Sequence, residues 1–385
     1  MPRASQHSVP RAYQSGSQRG LIDYLRKWDD FDRLDLIDAS EVAPKSRGTL
    51  FPVPKSEFED RIVFNCIPQN AQEGHLGGAS IDTPSGHQFT ELYIQPGKVA
   101  RVSADDLSDC FPAFRGSLSR AKRNALAAPL CPYKFSGMKA FARLQRRCAL
   151  ADSPLPPKVL PCNSGLVMGD LNANDWASAA HVRLCTSVDA LPAAQRLKNH
   201  CPCPRTSIVH GVVVDDHFAI SIDRRGCEAL HDQAADALDR SAAACEAQGI
   251  FTSKSKRVRK VSRHTVIGAD FLGDEGLVAA PLQRRMELAA LSIQLSRQGL
   301  VTAHVMRRLL GMWLHVLLFR RTCLCLIAVL YRELPPIERD HYVYSLSAAA
   351  RQELLVLGML APVFFANLRA SFHPRILATD ASTFA

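Results

Sequence analysis

Two acidic sites far apart along this 385-residue chain have the residue types and the setting for metal chemistry. Asp106 follows one β-rich stretch, and the adjacent pair Asp215 and Asp216 follows another. Magnesium prefers oxygen ligands and is commonly held by carboxylates together with the phosphates of a substrate. Two such ions roughly 3.5–4 Å apart lower the pKa of an attacking hydroxyl and neutralise charge on a leaving phosphate group. Two aspartates in a hairpin are also ordinary turn residues, so the pair alone leaves a structural role open.

The stretches that precede the aspartates predict the strands that position them. Residues 208–214 are rich in β-branched side chains, stop at the acidic pair and resume as residues 218–222, which predicts a hairpin with two carboxylates at its tip. Residues 99–103 predict another strand, which ends shortly before Asp106. If these strands are neighbours, the carboxylates converge. Oxygens more than about 8 Å apart would exclude a shared pair of ions at the usual spacing.

The rest of the chain predicts helices with two further β segments. Residues 61–64 predict a strand, and residues 266–278 a second hairpin. Helical spacing of apolar residues predicts helices over residues 21–37, 172–184 and 228–248, and a mostly helical region over residues 283–366 that is interrupted at Pro335 and Pro336. Within residues 172–184, one face carries Trp176, Ala180 and Leu184. Strands interleaved with helices and followed by a helical region indicate an α+β fold.

The charge and hydropathy of the chain bound its partners. A net charge of +10 and a pI near 9.1 favour polyanions, which fits nucleic acid, an anionic membrane or a basic enzyme. The most hydrophobic stretch, residues 309–331, is about long enough to span a bilayer. Arg320 and Arg321 lie in its middle, where each would cost roughly 2.5–3.5 kcal/mol. We therefore expect a buried pair of helices and no membrane partner.

Cysteine usage and the motifs that do not occur narrow the class of protein further. Twelve cysteines without regular spacing, and no N-terminal signal pattern, predict reduced thiols in an intracellular compartment, either cytoplasmic or nuclear. His200-Cys201-Pro202-Cys203 has an unusual spacing for half a zinc site, and no partner pair follows it. The sequence also has no Gly-x-x-x-x-Gly-Lys-Ser/Thr loop and no Gly-x-Ser-x-Gly elbow, which excludes P-loop nucleotide hydrolases and α/β-hydrolases.

The order of several short motifs says more than any one of them. From the N-terminus these motifs are Asp60-Arg61-Ile62-Val63, Asp106-Leu107-Ser108-Asp109-Cys110-Phe111, Leu166-Val167-Met168-Gly169, Val213-Val214-Asp215-Asp216 and Val266-Ile267-Gly268. Their order and spacing resembles the reverse transcriptase family, most of all the polymerases of long-terminal-repeat or DIRS-type retroelements. The resemblance covers residues 52–382, and its motifs are specific in combination.

The resemblance implies a catalytic centre. Asp106 would be the first metal-binding aspartate, and Asp215 and Asp216 the pair of the family's aromatic-x-Asp-Asp hairpin. Together they would hold two magnesium ions, with manganese as the alternative. Lys256, or Lys254 beside it, falls where the family has a lysine that protonates the leaving pyrophosphate. The basic run around these lysines is also what a solvated loop that grips a phosphate backbone looks like.

The same resemblance implies four substrate-binding residues. Arg61 matches an arginine that contacts the incoming triphosphate, a role that suits its planar fork of donors. Phe111 matches an aromatic residue that crowds the sugar 2′ position and favours deoxynucleotides, although a core aromatic is the competing interpretation. Asp109, in the same motif, is assigned to substrate binding with it. Gly169 matches a loop glycine, where the absence of Cβ lets the backbone approach template and nucleotide closely.

The implied architecture is a right-hand polymerase. It would comprise an N-terminal extension (1–45), interleaved fingers and palm with an antiparallel sheet and helices (46–281), a helical thumb (282–345), and a connection with the start of a ribonuclease H-like module (346–385). Asp380 resembles the first metal-binding aspartate of that module, but the chain stops five residues later, so a truncated module without nuclease activity is expected. The implied partners are an RNA or DNA template with its primer and deoxynucleoside triphosphates, and the oligomeric state is left open.

Three departures from the family pattern keep two alternatives open. Val213 stands where an aromatic residue is usual, Asn65 where an aspartate is common, and Val167 and Met168 replace the usual proline and glutamine. One alternative is a catalytically inactive retroelement remnant that still binds nucleic acid. The other is a basic protein of unrelated fold whose aspartates are turn residues.

Overall fold

Strands and helices alternate through the first part of the chain, and helices dominate its last third. A computed structural model describes residues 17–54, 57–227 and 232–371. Its helices are α1 (Gln18–Asp30), α2 (Ile67–Asn70), α3 (Cys110–Ala113), α4 (Leu118–Ala121), α5 (Lys139–Leu150), α6 (Ala173–Ser187), α7 (Gln233–Ala247), α8 (Leu282–Gln298), α9 (Ala303–Leu317), α10 (Ala328–Arg332) and α11 (Ala348–Leu360). The predicted ribonuclease H aspartate, Asp380, lies outside the described residues.

The strands form antiparallel sheets and pairs. They are β1 (Leu34–Asp38), β2 (Thr49–Pro54), β3 (Asp60–Asn65), β4 (Lys98–Asp106), β5 (Val159–Asn163), β6 (Ile208–Val213), β7 (Asp216–Arg224), β8 (Val258–Val261), β9 (Arg263–Val266), β10 (Ala269–Leu272), β11 (Leu277–Ala279), β12 (Leu300–Thr302), β13 (Val343–Ser345) and β14 (Phe365–Asn367). Two sheets have four strands each, in the orders β6-β7-β4-β8 and β14-β11-β10-β9. The mixture of helices with antiparallel sheets confirms the predicted α+β class.

The β6-β7-β4-β8 sheet, here called the palm sheet, positions the acidic residues. The predicted hairpin is present as β6 and β7, and the predicted strand at residues 99–103 is the longer β4. One face of the sheet packs Phe218 edge-on against Phe89, which also contacts Phe271 edge-on. The opposite face lies beneath α6 and α7. Because side chains alternate between the two faces of a strand, this burial on both sides fixes the register of every strand end.

Two predicted segments in the first half of the chain differ from the structure in extent or orientation. The helix expected over residues 21–37 ends at Asp30, and Leu34–Asp38 pairs with β5 as a strand instead. Asp32, with φ 56°, breaks the helical path, and pairing with a buried strand outweighs helical periodicity. Helix α6 is present as predicted, and its buried face is not the one that carries Trp176, which lies half exposed.

The helical region after the palm also departs from prediction in its details. The hairpin expected at residues 266–278 is a three-stranded meander, because a two-residue turn at Ile267 and Gly268, both with positive φ, separates β9 from β10. The short pair β12–β13 and the strand β14, which extends the second sheet, interrupt the predicted helices. Helix α11 packs along α8, so the two form one helical layer.

Within the residues that the structure describes, one helical run has the length and composition to cross a membrane. It extends from Ala303 to Arg332. The run is kinked at Arg320, where φ is −143° and ψ is 63°, so it consists of two helical segments. Leu309 and Trp313 of α9 are buried in the largest hydrophobic cluster of the described residues. The Trp313 indole Nε1 also donates a hydrogen bond to Ser292 Oγ on α8 (2.9 Å).

Candidate functional site

The three predicted metal ligands meet at one edge of the palm sheet. Asp106 is the last residue of β4 and lies opposite Asp216, the first residue of β7. The backbone N–H of Leu107 donates to the carbonyl of Asp215 (3.0 Å), which ties the hairpin turn to the end of β4. One carboxylate oxygen from each of the three aspartates lies within 4.8 Å of the others. The structure thus brings together the three carboxylates, well inside the separation that would have excluded shared ions.

The site concentrates negative charge in a partly buried position. Burial, followed by the charges of Asp215 and Asp106, raises the pKa of the Asp216 carboxyl group to about 6. Burial and the charge of Asp106 raise the pKa of Asp215 as well. Both shifts report that the folded chain disfavours three bare carboxylates at this edge. A positive ligand would remove that penalty.

Lys256 supplies a single positive charge to this cluster. Its Nζ donates to Asp106 Oδ2 (2.7 Å), and this hydrogen bond is the main reason that the pKa of Lys256 is raised. Both Lys254 and Lys256 are exposed, but Lys256 is the one that contacts Asp106, and none of the described contacts joins Lys254 to the cluster. One ammonium leaves most of the carboxylate charge uncompensated. The donor set consists of carboxylate oxygens alone, which fits a hard divalent cation such as magnesium.

Asp109 and Phe111 follow Asp106 in the chain but have different surroundings. Phe111 is half-buried in α3 and packs with a small cluster that contains Leu107 and Cys110. Burial and then the charges of Asp215 and Asp106 raise the pKa of the Cys110 thiol to about 12, which places the start of α3 beside the carboxylates. Asp109 adopts φ 47° and is exposed. It lines a cleft of about 900 Å³, and none of the described contacts joins it to the triad.

Gly169 approaches β3, the strand that carries Arg61. Gly169 has φ 92°, which favours glycine, and its carbonyl accepts a hydrogen bond from Asn70 Nδ2 (2.8 Å). A Cβ at Gly169 would lie 3.7 Å from the Phe64 carbonyl of β3, the strand that also carries Arg61. Arg61 is exposed, and within the described part of the chain no contact links it to the aspartates.

Reasoning from the sequence did not single out Asp105, although it adjoins the triad. Its side chain is 5% exposed and accepts two hydrogen bonds from Arg259, Nη1 to Oδ1 (2.9 Å) and Nη2 to Oδ2 (2.7 Å). Arg257 Nε lies 3.3 Å from Asp105 Oδ1. The alternation of side chains along the predicted strand could have indicated that Asp105 and Asp106 point to opposite faces of the sheet.

A group of buried histidines beneath the acidic turn was also missed. His181 on α6, His210 on β6 and His217 on β7 are each about 1% exposed. The His217 ring lies 5.7 Å from that of His210 and 6.2 Å from that of His181, centroid to centroid. His210 and His217 occupy positions of the predicted hairpin that alternation turns toward α6 and α7. The burial of His210 and His217 against these helices could therefore have been predicted from the strand alternation.

Comparison with known proteins identifies the fold. No family model and no curated protein matches the sequence. Among solved structures, the foamy viral protease-reverse transcriptase in complex with dsDNA matches with a TM-score of 0.56 and 14% identity, over 94% of this chain and 62% of that one. The complex of the same protein with an RNA/DNA hybrid matches with a TM-score of 0.52 and 15% identity, over 94% of this chain and 40% of that one. Its dRH form with ds DNA matches with a TM-score of 0.55 and 13% identity, over 93% of this chain and 52% of that one.

The chain thus spans less than two thirds of the length of each of these structures. At such low identity the likeness concerns the course of the backbone and not the chemistry of individual residues. It agrees with the mixture of helices and antiparallel sheets described above. The described chain has the polymerase fold of reverse transcriptases.

Proposed function

We propose that this chain is an RNA-directed DNA polymerase that adds deoxynucleotides to a primer 3′ end by two-metal phosphoryl transfer. The observation that carries the proposal is the convergence of Asp106, Asp215 and Asp216 within 4.8 Å, at the tip of a palm hairpin in a reverse-transcriptase-like fold. Phosphoryl transfer depends mainly on positioning and on electrostatic stabilisation. A rigid sheet edge with three carboxylates suits that demand.

Two magnesium ions, or manganese ions in their place, are the proposed cofactors of this site. When bound, such ions activate the primer 3′-hydroxyl and neutralise the charge of the leaving pyrophosphate. The chain's own contribution is to hold three oxygen donors at one sheet edge before any substrate arrives. Because the pKa of Asp216 is raised to about 6, cation binding at or below that pH also displaces a proton from the cluster.

Lys256 is the proposed proton donor to the pyrophosphate. A lysine ammonium keeps its proton at neutral pH, and the side chain of Lys256 is two-thirds exposed, so it is free to swing. In the absence of substrate the ammonium rests on Asp106. We expect it to turn toward the triphosphate when divalent cations neutralise the carboxylates, so that Nζ faces the oxygen on which negative charge develops.

The remaining assignments concern the substrate. We infer that Phe111 crowds the sugar 2′ position, that Asp109 binds the incoming nucleotide beside it, and that Gly169 lets the template strand approach the backbone. Arg61 would reach the triphosphate from β3 with its guanidinium fork. The half-buried Phe111 ring and the positive φ of Gly169 are compatible with these roles.

The proposed partners are a template of RNA or DNA with its primer and deoxynucleoside triphosphates, in an intracellular setting. The titles of the similar structures name dsDNA and an RNA/DNA hybrid as what those proteins bind. The net charge of +10 supports a polyanionic partner for this chain. Origin in a long-terminal-repeat or DIRS-type element, and the division into fingers and palm, thumb and connection given above, belong to the same proposal.

A primer-extension assay tests the proposal. A labelled DNA primer on an RNA template and on a DNA template is incubated with deoxynucleotides and Mg²⁺, and a parallel reaction contains chelator. We expect extension that requires the divalent ion and that is lost on Asp215→Asn. The same extension by the Asp215→Asn protein would contradict the proposal, since it would arise from a contaminating polymerase.

The alternative function is a retroelement remnant that binds nucleic acid without catalysis. It is favoured by Val213, which stands at the usual aromatic position of the hairpin and packs instead against the core. Its signature would be retention of primer-template in a gel-shift assay, with salt-dependent affinity, by a protein that extends no primer with Mg²⁺ or Mn²⁺.

A further inference from the structure

The turn that carries Asp215 has a strained backbone. Val214 precedes Asp215 at the tip of the hairpin and has φ 54°. This left-handed conformation is unfavourable for a β-branched residue and costs on the order of 1–3 kcal/mol. Such a conformation persists only where its surroundings hold it in place. The contacts around Val214 therefore decide where the Asp215 carboxylate points.

Two hydrogen bonds hold the turn from opposite sides. On the β4 side, the Leu107 N–H donates to the carbonyl of Asp215 (3.0 Å). On the helical side, His181 Nδ1 lies 2.9 Å from the carbonyl oxygen of Val214. A carbonyl oxygen only accepts, so the His181 ring must carry its proton on Nδ1. The side chain of His181 is thus the donor that grips the strained residue itself.

His181 is itself held firmly. It projects from α6, the helix whose first turn is anchored to the segment before the palm. Asn172, the residue that caps α6, accepts from the Leu76 N–H (2.9 Å), and Asp175 accepts from the Ser80 N–H (2.9 Å) and Oγ (2.6 Å). At the middle of α6 His181 is buried on all sides. Its Nδ1 therefore points at a fixed place relative to the palm sheet.

We propose that His181 is a positioning residue for the acidic site, whose Nδ1–H holds the Val214 carbonyl and thereby directs the Asp215 carboxylate toward Asp106. Its effect on catalysis rests on the proposed polymerase function, but its effect on cation binding does not. Groups that orient the ligands of a metal commonly change metal affinity by about 10–100-fold when they are removed.

The test compares two substitutions of His181, one that keeps a hydrogen-bond donor and one that removes it. Asn places an amide nitrogen at the same bond distance from the backbone as His Nδ1, so His181→Asn retains the donor. His181→Leu fills similar space without one. Mn²⁺ binding is measured by electron paramagnetic resonance on the full chain without nucleic acid. We expect His181→Leu to weaken Mn²⁺ binding by about tenfold or more and His181→Asn to stay within about threefold of the parent protein.

A matched control separates positioning from general stability. His210→Leu also removes a buried imidazole of the same group, but His210 makes no described contact with the turn. We expect this variant to change the packing of the core and to keep the Mn²⁺ affinity of the parent. Equal weakening by His210→Leu and His181→Leu, or unchanged binding by a folded His181→Leu protein, would overturn the proposal. If His181→Leu does not fold, the pair His181→Asn and His181→Gln replaces it, because the Gln amide lies one bond too far.

Primer extension by the same proteins distinguishes the two proposals. If the parent extends primers and His181→Leu needs no more Mg²⁺ than the parent does, the positioning role fails and the polymerase function stands. If the expected order of Mn²⁺ affinities is found but no protein extends a primer, the positioning role stands and the polymerase function fails.

Discussion

Asp105 and Asp106 are adjacent in the chain and have opposite fates. Asp105 is buried on one face of the palm sheet, where two arginines satisfy its oxygens. Asp106 reaches the other side of the strand end, where it meets two further carboxylates and one lysine. The charge of Asp105 thus has its counter-ions, Arg257 and Arg259, within the chain. On the Asp106 side negative charge is in excess.

Of these two adjacent residues, Asp105 therefore contributes to stability and Asp106 to the candidate site. A carboxylate that is paired and hydrogen-bonded by arginines contributes to folding, and breaking such a pair leaves a charge without a partner. A cluster of like charges lowers stability and persists where it serves binding or catalysis. The palm sheet therefore combines a self-sufficient ion pair with a site that is completed from outside, and substitutions on the two sides should act on different measurable quantities.

The largest effect is expected at Asp215. Replacement by Asn retains the shape but removes one charged ligand, and loss of several kcal/mol of charge stabilisation corresponds to about 10³-fold or more in the extension rate. Without divalent ions the variant should be as stable as the parent or more stable, because repulsion within the cluster falls. Single-turnover primer extension and urea unfolding in chelator measure the two quantities.

Asp239→Asn is the matched control for that substitution. Asp239 is an exposed carboxylate that contacts Arg259 on the Asp105 side of the sheet. The Asp239→Asn substitution should leave the extension rate unchanged. A comparable loss of rate in both variants would mean that removal of negative charge anywhere near the palm, and not the loss of a ligand, lowers activity.

The second effect concerns Lys256. Lys256→Met keeps the length of the side chain but removes the proton donor, and general-acid catalysis typically contributes 10²–10⁴-fold, so we expect a loss of about 10²-fold in the extension rate. Lys254→Met, a substitution two residues away on the same exposed loop, should lower the extension rate far less. Equal rates in the two variants would place the role of both lysines in holding nucleic acid.

The third effect falls on folding. Asp105→Asn removes the buried carboxylate partner of Arg259, which then keeps the exposed Asp239, and we expect the free energy of unfolding to fall by about 2–3 kcal/mol. Chemical denaturation with urea measures it. The folded variant should bind Mn²⁺ as tightly as the parent does, because Asp105 faces away from the triad. A large loss of Mn²⁺ affinity at unchanged stability would remove the contrast between the two aspartates.

The sequence was sufficient to predict the sheet edge, and insufficient for what surrounds it. A β-branched run that stops at an acidic pair and resumes after it predicted β6 and β7, residues 99–103 predicted β4, and the motif order predicted that Asp106 would meet Asp215. The partners of Asp105 could not be predicted in the same way, because the run from Lys254 to Lys260 offers several arginines and lysines whose register depends on the β4–β8 pairing. That pairing contains an irregularity between Val102 and Ala104.

Helix boundaries and buried faces were the less predictable part. Residues 34–37 continue a helical pattern, yet they pair with β5, since burial between two layers depends on contacts distant in sequence. The helical spacing of Trp176, Ala180 and Leu184 marked one face of α6, but Trp176 on that face is half exposed. The buried face of α6 consists of small or polar residues, among them Ala177 and His181, whose burial only the packed hairpin reveals.

The smallest expected effect is a dependence of stability on pH that arises from Asp216. Its pKa of about 6 in the folded chain lies above the ordinary 3.8. The folded state therefore binds this proton more tightly than the unfolded state does. The resulting stabilisation is fully present below about pH 4 and is lost as the pH rises through about 6. Carboxyl groups with lowered pKa values, such as Asp274, act in the opposite direction, so a single titration of the parent does not isolate it.

The difference between the parent and Asp216→Asn isolates this contribution. We expect the free energy of unfolding of the parent, measured in chelator and relative to that of the variant, to decrease between about pH 4 and pH 6 and to stay level above pH 7. A saturating divalent ion should abolish this decrease, because the ion favours the ionised carboxylate. A relative stability that increases over the same interval would show that Asp216 has a satisfied charge, as Asp105 has, and that the acidic cluster is a second structural ion-pair network.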